Sequence, residues 1–264
     1  MNRKLALLFI TVCFLSGLVL AQDPAIPAGG PPQGAAGAQA GAPGGRGGAP
    51  RGRGGPALPA NQPAARDDAR HKGFVEIAQR GNIDLLWVGD SITDWWARGG
   101  QQVWEQNFAS LKPANFGIAG DTTQGVLWRM QNGELEGFTA KLIVHMLGTN
   151  NINRNPVDEI VDGNRLILEE FKKRQPQAKV LLLGVFPRNA DPANPLRATI
   201  KEINSKLASL ADGNRIVFMD IGDKFLTPEG ALTTEVMADG LHPTAKGYQI
   251  WADAVRDTIK AMMQ

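Results

Sequence analysis

The 264-residue chain contains one cysteine, one tyrosine and three histidines. A lone thiol builds neither a disulfide framework nor a thiolate metal cluster. That thiol, Cys13, sits in an apolar run near the N-terminus. His71, His145 and His242 are too widely spaced to form a zinc-ligand motif, so no metal is expected. G-x-x-x-x-G-K-[ST] and a strand-linked G-x-G-x-x-G are also absent, which removes support for a phosphate-cradling loop or any nucleotide, and no cofactor is expected. Excess charge is scarce as well: the net value is +2. Positive charge is concentrated in Arg3, Lys4, Arg46, Arg51, Arg53 and Arg66, against Asp23 alone, so the chain from residue 67 onward is slightly acidic. Such a surface has no electrostatic reason to follow a phosphate backbone, and no nucleic-acid partner is expected.

What is present divides the chain in three. Arg3-Lys4, the apolar run of residues 5–20 and the small-residue end Val19-Leu20-Ala21 read as a signal peptide over residues 1–21, which implies export to a periplasmic or extracellular location. The alternative, an uncleaved anchor, is weakened by Thr11, Ser16 and Gly17; after cleavage no stable membrane insertion is expected. Residues 22–66 hold 12 of the 31 glycines and 9 of the 17 prolines with almost no large apolar side chains, too little to offset the entropy of ordering, and read as a disordered Gly/Pro/Arg-rich linker. The folded domain is expected over residues 67–264.

Within that domain, short apolar runs of strand length at residues 83–88, 114–118, 142–147, 180–185 and 216–219 alternate with segments of helical spacing. The clearest helices run over residues 157–174, 196–210 and 245–263, each with a proline near its start. This alternation predicts an α/β protein: a three-layer α/β/α sandwich around a five-stranded parallel sheet, with ligands bound beyond the carboxyl ends of the strands.

Only residues that follow the strands can converge at that edge. After the first strand comes Gly89-Asp90-Ser91-Ile92-Thr93, after the second Gly117-Ile118-Ala119-Gly120-Asp121, and after the third Gly148-Thr149-Asn150-Asn151. Asp239-Gly240-Leu241-His242-Pro243 precedes the last helix. Acyl transfer needs a hydroxyl with a base, and His242 is the base within reach of Ser91, because His71 precedes the sheet and His145 lies within a strand. Asp239, three residues before His242 on a turn opened by Gly240, can fold back to the other ring nitrogen, and Pro243 is expected in the first turn of the final helix. The backbone N–H of Ser91, the backbone N–H of Gly120 and the side-chain amide of Asn150 can serve as a three-point oxyanion hole. Asn151 receives no role. Each piece alone reads equally as a turn or a helix cap; their occurrence together, in order and at strand ends, favours a hydrolase site. Thr93 stands where a G-x-S-x-G elbow needs its second glycine, so this is not that motif.

These blocks resemble the SGNH (GDSL) hydrolase family, in which Ser, Gly, Asn and His occur in this order. Longer strings, among them Asn115-Phe116-Gly117-Ile118-Ala119-Gly120-Asp121, Val126-Leu127-Trp128-Arg129 and Asn132-Gly133-Glu134-Leu135-Glu136, are similar to the catalytic subunits of brain-type platelet-activating-factor acetylhydrolase. The resemblance implies a flavodoxin-like fold, a metal-free Ser91–Asp239–His242 triad and the oxyanion hole of Ser91, Gly120 and Asn150. It also implies an acyl pocket walled by Ile92, Thr149 and Leu241 that accepts little more than acetyl. The leader and linker depart from those subunits, and exported relatives commonly deacetylate carbohydrates.

The reading is therefore an exported carboxylic ester hydrolase that cleaves short-chain, chiefly acetyl, esters by an acyl-enzyme route. Its substrate is a small-molecule or glycan ester, an acetylated carbohydrate in the first instance and a platelet-activating-factor-like phospholipid as the alternative. A different class, a non-catalytic glycan- or envelope-binding protein, stays open, as does oligomeric state, a homodimer included. Trp87, Trp95, Trp96, Trp104, Trp128 and Trp251 read as helix-to-sheet packing, with Trp95 and Trp96 nearest Ser91. His145 reads as a core histidine. Arg129 as a brace for the loop after Gly120, and Glu134 with Glu136 as an acidic pair, are weighed against plain surface charge, which is the simpler expectation.

Overall fold

The computed structural model describes residues 57–264. The expected signal peptide, Cys13 and the linker up to residue 56 lie outside the described residues.

Five strands form one sheet: β1 (Leu85–Gly89), β2 (Pro113–Gly117), β3 (Leu142–Met146), β4 (Lys179–Leu183) and β5 (Ile216–Met219). Their order is β2-β1-β3-β4-β5 and every neighbouring pair is parallel. The helices are α1 (Ala69–Arg80), α2 (Ser91–Asp94), α3 (Gln101–Phe108), α4 (Thr123–Gln131), α5 (Val157–Arg174), α6 (Pro195–Ala208) and α7 (Ala245–Met262). This is the expected three-layer sandwich with a five-stranded parallel sheet.

The central strands β1, β3 and β4 are nearly continuous apolar runs because both of their faces are covered. Period-two alternation sends Leu86, Val88, Ile143, Val180 and Leu182 into a core shared with α1, α4, α5 and α6. The residues between them, Leu85, Trp87, Val144, Leu181 and Leu183, enter a second core with α3 and α7. Trp87 is the hub of that second core, with Trp96, Trp104, Phe108 and Trp251 rings centred 5.7, 5.3, 5.1 and 5.5 Å away. Removing such a side chain costs about 3–5 kcal/mol. Helix α5 matches its expected bounds. Pro156 precedes it, Asp158 and Glu159 occupy its first turn, and Lys172, Lys173 and Arg174 its last, all favourable to the helix dipole.

Two expectations need correction. Pro243 does not sit in the first turn of α7: Thr244 is the N-cap, accepting from Gly247 N, and Pro243 stands one residue before it. The folded unit does not begin at Asp67 either. Residues 58–66, which composition assigns to the linker, dock on α4 and α5: Ala60 is fully buried and its N–H donates to Glu159 at 3.1 Å. Composition failed here because, apart from Ala60, this segment is held by backbone and polar side-chain groups rather than by apolar side chains.

Candidate active site

In a parallel sheet of this order the crossovers from β1 and β3 depart to opposite sides, which opens a crevice at their carboxyl ends. Gly89 of β1 is in register with Gly117 of β2 and with Met146 of β3. Ser91, Gly120 and Asn150 therefore emerge two, three and four residues beyond one aligned row, at the same edge of the sheet.

Ser91 opens α2 directly after β1 and is 5 % exposed. Its Oγ lies 2.9 Å from His242 Nε2. His242 Nδ1 lies 2.6 Å from Asp239 Oδ2. The other Asp239 oxygen accepts the backbone N–H groups of Leu241 (3.0 Å) and His242 (2.7 Å). Gly240 makes this tight return possible, since its φ of +70° is a conformation that side chains with a Cβ rarely adopt. Burial pushes the Asp239 carboxyl up, but the hydrogen bonds from the His242 ring and from the two backbone amides outweigh it and hold the group below the usual carboxylate value. An ionised Asp239 accepts only, so Nδ1 carries the proton and Nε2 is left to accept from Ser91. Trp95 stacks on the His242 ring with centroids 3.9 Å apart and planes at 25°, and its other neighbour is the Arg98 guanidinium, 5.1 Å from the indole centroid.

Gly120 is exposed with φ +76°, on the turn between β2 and α4. Asn150 is half-buried after β3, and its Nδ2 donates to Asp121 O at 2.8 Å, which ties the third strand-end loop to the second. One Nδ2 hydrogen remains for another acceptor. The acyl-pocket expectation fares less evenly. Leu241 is half-buried beside His242, but Ile92 is 1 % exposed, in the aromatic core with Trp96 and Tyr248, and Thr149 is 2 % exposed. The reason for Ile92 is helical: each residue of α2 turns about 100°, so the neighbour of a rim-facing Ser91 points inward. Two surface concavities, of about 360 and 240 Å³, lie elsewhere and include neither Ser91 nor His242.

Arg129 and Glu134 are not surface charges. Arg129 is fully buried; its Nε donates to Asp121 Oδ2 at 2.9 Å, its Nη2 to Phe116 O at 3.1 Å, and its Nη1 pairs with Glu134 Oε2. The second Glu134 oxygen lies 2.8 Å from His71 Nδ1. Burial raises the Asp121 carboxyl, against the opposing pull of Arg129 and Arg66. This buried chain of charges ends at the residue after Gly120, and nothing in the local sequence distinguishes it from solvated polar residues. Glu136 does lie at the surface, paired with Arg174 at 3.0 Å, so no acidic pair forms. His145 is a core histidine: Asn164 Nδ2 donates to Ile160 O and Leu147 O, which turns Asn164 Oδ1 toward His145 Nε2 at 2.8 Å. Asn151, given no role beforehand, is fully buried; it accepts from Thr123 N and donates to Gln124 and Asn155. Asp90 was also passed over. Its Oδ1 caps α2 through Ile92 N at 3.0 Å, while Oδ2 is buried without a partner among the described residues.

Comparison with known proteins agrees with the geometry. Residues 87–250 match the model of the GDSL-like Lipase/Acylhydrolase family. The platelet-activating factor acetylhydrolase IB subunit alpha2 of Rattus norvegicus is 36% identical over 215 residues, spanning 78% of this chain and 92% of its own. The Homo sapiens alpha1 subunit is 34% identical over 199 residues, 72% of this chain and 84% of its own. Among solved structures, a GDSL-like lipase from Bacteroides thetaiotaomicron superposes with TM-score 0.58 at 22% identity, covering 72% of this chain and 97% of its own. An acetylxylan esterase from Geobacillus stearothermophilus gives TM-score 0.54 at 20% identity, over 68% and 93%. At those identities the structures share the fold.

Proposed function

The chain belongs to the GDSL-like lipase/acylhydrolase family and is a carboxylic ester hydrolase, and from that premise we propose that it is an exported serine esterase that removes short acyl groups, acetyl above all, from carbohydrate esters. In this reading Ser91 is the nucleophile, His242 the general base and Asp239 its orienter. The single observation that carries it is the unbroken chain of hydrogen bonds from Ser91 Oγ through the imidazole to Asp239.

As Ser91 Oγ attacks the acyl carbon, its proton passes to His242 Nε2, and Asp239 stabilises the resulting imidazolium through Nδ1–H. The carbonyl oxygen becomes an oxyanion that the N–H groups of Ser91 and Gly120 and the Asn150 amide receive, each such donor being worth about 2.7–4 kcal/mol at a preorganised site. Collapse breaks the bond to the alcohol, which leaves with the proton from His242, and the acyl group stays on Ser91. Water then gives its proton to His242 and attacks the acyl carbon; the carboxylic acid departs and the proton returns to Ser91 Oγ.

Support for a small acyl group comes from Leu241, half-buried beside the base. Support for export is the Arg3-Lys4 start, the apolar run and Ala21. Carbohydrate is favoured by that route together with a fold shared with an acetylxylan esterase. A phospholipid acetyl ester is the second reading, favoured by 36% identity to a platelet-activating factor acetylhydrolase subunit.

The expected order of p-nitrophenyl ester cleavage is acetate, then butyrate, then octanoate; a rise with chain length rejects the short-acyl reading. Ser91→Ala and His242→Ala should each lower kcat by several orders of magnitude and the double variant scarcely further, because the residues act as a unit. Near-additive losses contradict the shared role. Acetate release from acetylated xylan, measured beside a platelet-activating-factor analogue, decides between the two alcohols.

A further inference from the structure

Residues 58–66 have the composition of a tether, yet the backbone of Leu58, Ala60 and Ala64 and the side chains of Asn61 and Arg66 are all engaged by the domain. Leu58 O accepts from both Gln124 Nε2 (2.8 Å) and Asn155 Nδ2 (3.0 Å). Ala60 O accepts from Thr123 Oγ1 at 2.7 Å, and Ala64 N donates to Gln124 O at 3.0 Å. Asn61 Nδ2 donates to Asp162 at 2.8 Å, and Arg66 Nη1 lies 3.5 Å from Asp121 Oδ1. Two glycines inside helices vacate the space for this arrangement, against their own helix propensity. A Cβ at Gly163 in α5 would stand 2.5 Å from Ala60 O, and one at Gly125 in α4 would stand 2.2 Å from Asp121 Oδ1.

Both groups of contacts lead to the loops that carry the oxyanion donors. Gln124 and Asn155, gripped by Leu58 O, hold Asn151 through 2.8 and 3.1 Å hydrogen bonds, and Asn151 is the chain neighbour of Asn150. Arg66 reaches Asp121, the chain neighbour of Gly120, and the Asp121 carbonyl in turn accepts from the Asn150 amide. We propose that residues 58–66 form a positioning strap for the oxyanion-binding loops, with Arg66, Gln124 and Asn155 as positioning residues that keep the Gly120 N–H and the Asn150 amide aimed at the acyl oxygen. The inference rests on the assignment of those two groups as oxyanion donors. Donors of this kind work because they are held in place before the charge develops, so loosening their support lowers turnover more than substrate binding.

The test uses the full chain with p-nitrophenyl acetate, well below the unfolding temperature. Gly163→Ala pushes a methyl group at Ala60 O and at the Thr123 side chain that donates to it, without touching a catalytic residue, so a loss in kcat must be matched by Arg66→Ala, which leaves Thr123 in place. Since losing one donor outright costs about 100–1000-fold in kcat, partial loosening of two is expected to cost at least about tenfold, with KM within about threefold. Trypsin cleavage after Arg66 should quicken as the strap undocks. Native kcat, or native protection of the Arg66–Asp67 bond, overturns the proposal. If Gly163→Ala does not fold, Arg66→Ala decides: kcat should drop severalfold and recover in Arg66→Lys, and an undiminished kcat in Arg66→Ala overturns the strap. Asn150→Ala separates the two claims. A kcat lowered about 100-fold or more in Asn150→Ala beside an unaffected Gly163→Ala indicts the strap alone, whereas a native kcat in Asn150→Ala indicts the assignment beneath it.

Discussion

Replacing Asp90 by Asn should make the protein more stable at pH 8 than the parent, although it alters the residue next to Ser91. Asp90 is fully buried, with one oxygen on Ile92 N and the other without a partner among the described residues. Burial above all, with the Asp121 charge adding to it, pushes this carboxyl up to about 7, against the pull of the Ile92 N–H and of Arg188. In the unfolded chain the same group loses its proton near pH 4. Between about pH 4 and 7 the native state therefore holds a proton that the unfolded state has released, and stability falls as pH rises. The slope is about 1.4 kcal/mol per pH unit, on the order of 4 kcal/mol across the window, and it flattens above pH 7. Asn at this position still caps α2 and does not ionise. Urea denaturation followed by tryptophan fluorescence at half-unit steps from pH 4 to 8 measures the difference between variant and parent. That difference should grow steadily through the window and level off above it. A difference that stays flat from pH 4 to 8 would falsify the assignment of a raised carboxyl to Asp90.

His145 acts in the opposite sense: burial lowers it to about 4, so stability present above pH 6.5 is lost as pH falls through that interval. His145→Gln, which keeps a donor for Asn164 Oδ1, should remove that acid-side loss in the same urea series; an unchanged acid limb refutes it. Arg129→Met strands Asp121 and Glu134, which are 1 % and 0 % exposed, and should destabilise by about 3–5 kcal/mol. For a folded unit of this size that is a drop of roughly 6–20 °C in Tm by calorimetry. A loss under about 1 kcal/mol would show that the buried ion pairs contribute little.

Legibility differed residue by residue for physical reasons. Helix α5 could be read to the residue because its stop and start signals are local: Pro156, the acidic first turn and the basic last turn. The meeting of Ser91, Asp239 and His242 was also foreseeable, since a parallel sheet forces strand-end residues to one edge and Asp239 is within a single turn of His242. Arg129 and Glu134 were misjudged because a charged residue carries no local mark of burial. Only the approach of Asp121, Phe116 and His71 from three other segments makes their interior placement tolerable. Residues 58–66 were misjudged for a related reason. Their partners Thr123, Gln124, Asn155 and Glu159 lie more than 60 residues away in the chain, and backbone hydrogen bonding leaves no trace in side-chain composition.

The sequence by itself determined the class of the fold, the edge of the sheet where Ser91, Asp239 and His242 meet and the residue types gathered there, because hydrophobic period and turn chemistry act over a few neighbouring residues. The tertiary structure alone decided that residues 58–66 dock on the domain, that Ile92 faces the core rather than the rim, and that a buried network of charges and amides stands behind the Gly120 and Asn150 loops. Those outcomes depend on which distant groups come close enough to satisfy or desolvate one another, and proximity of that kind exists only once the chain has folded.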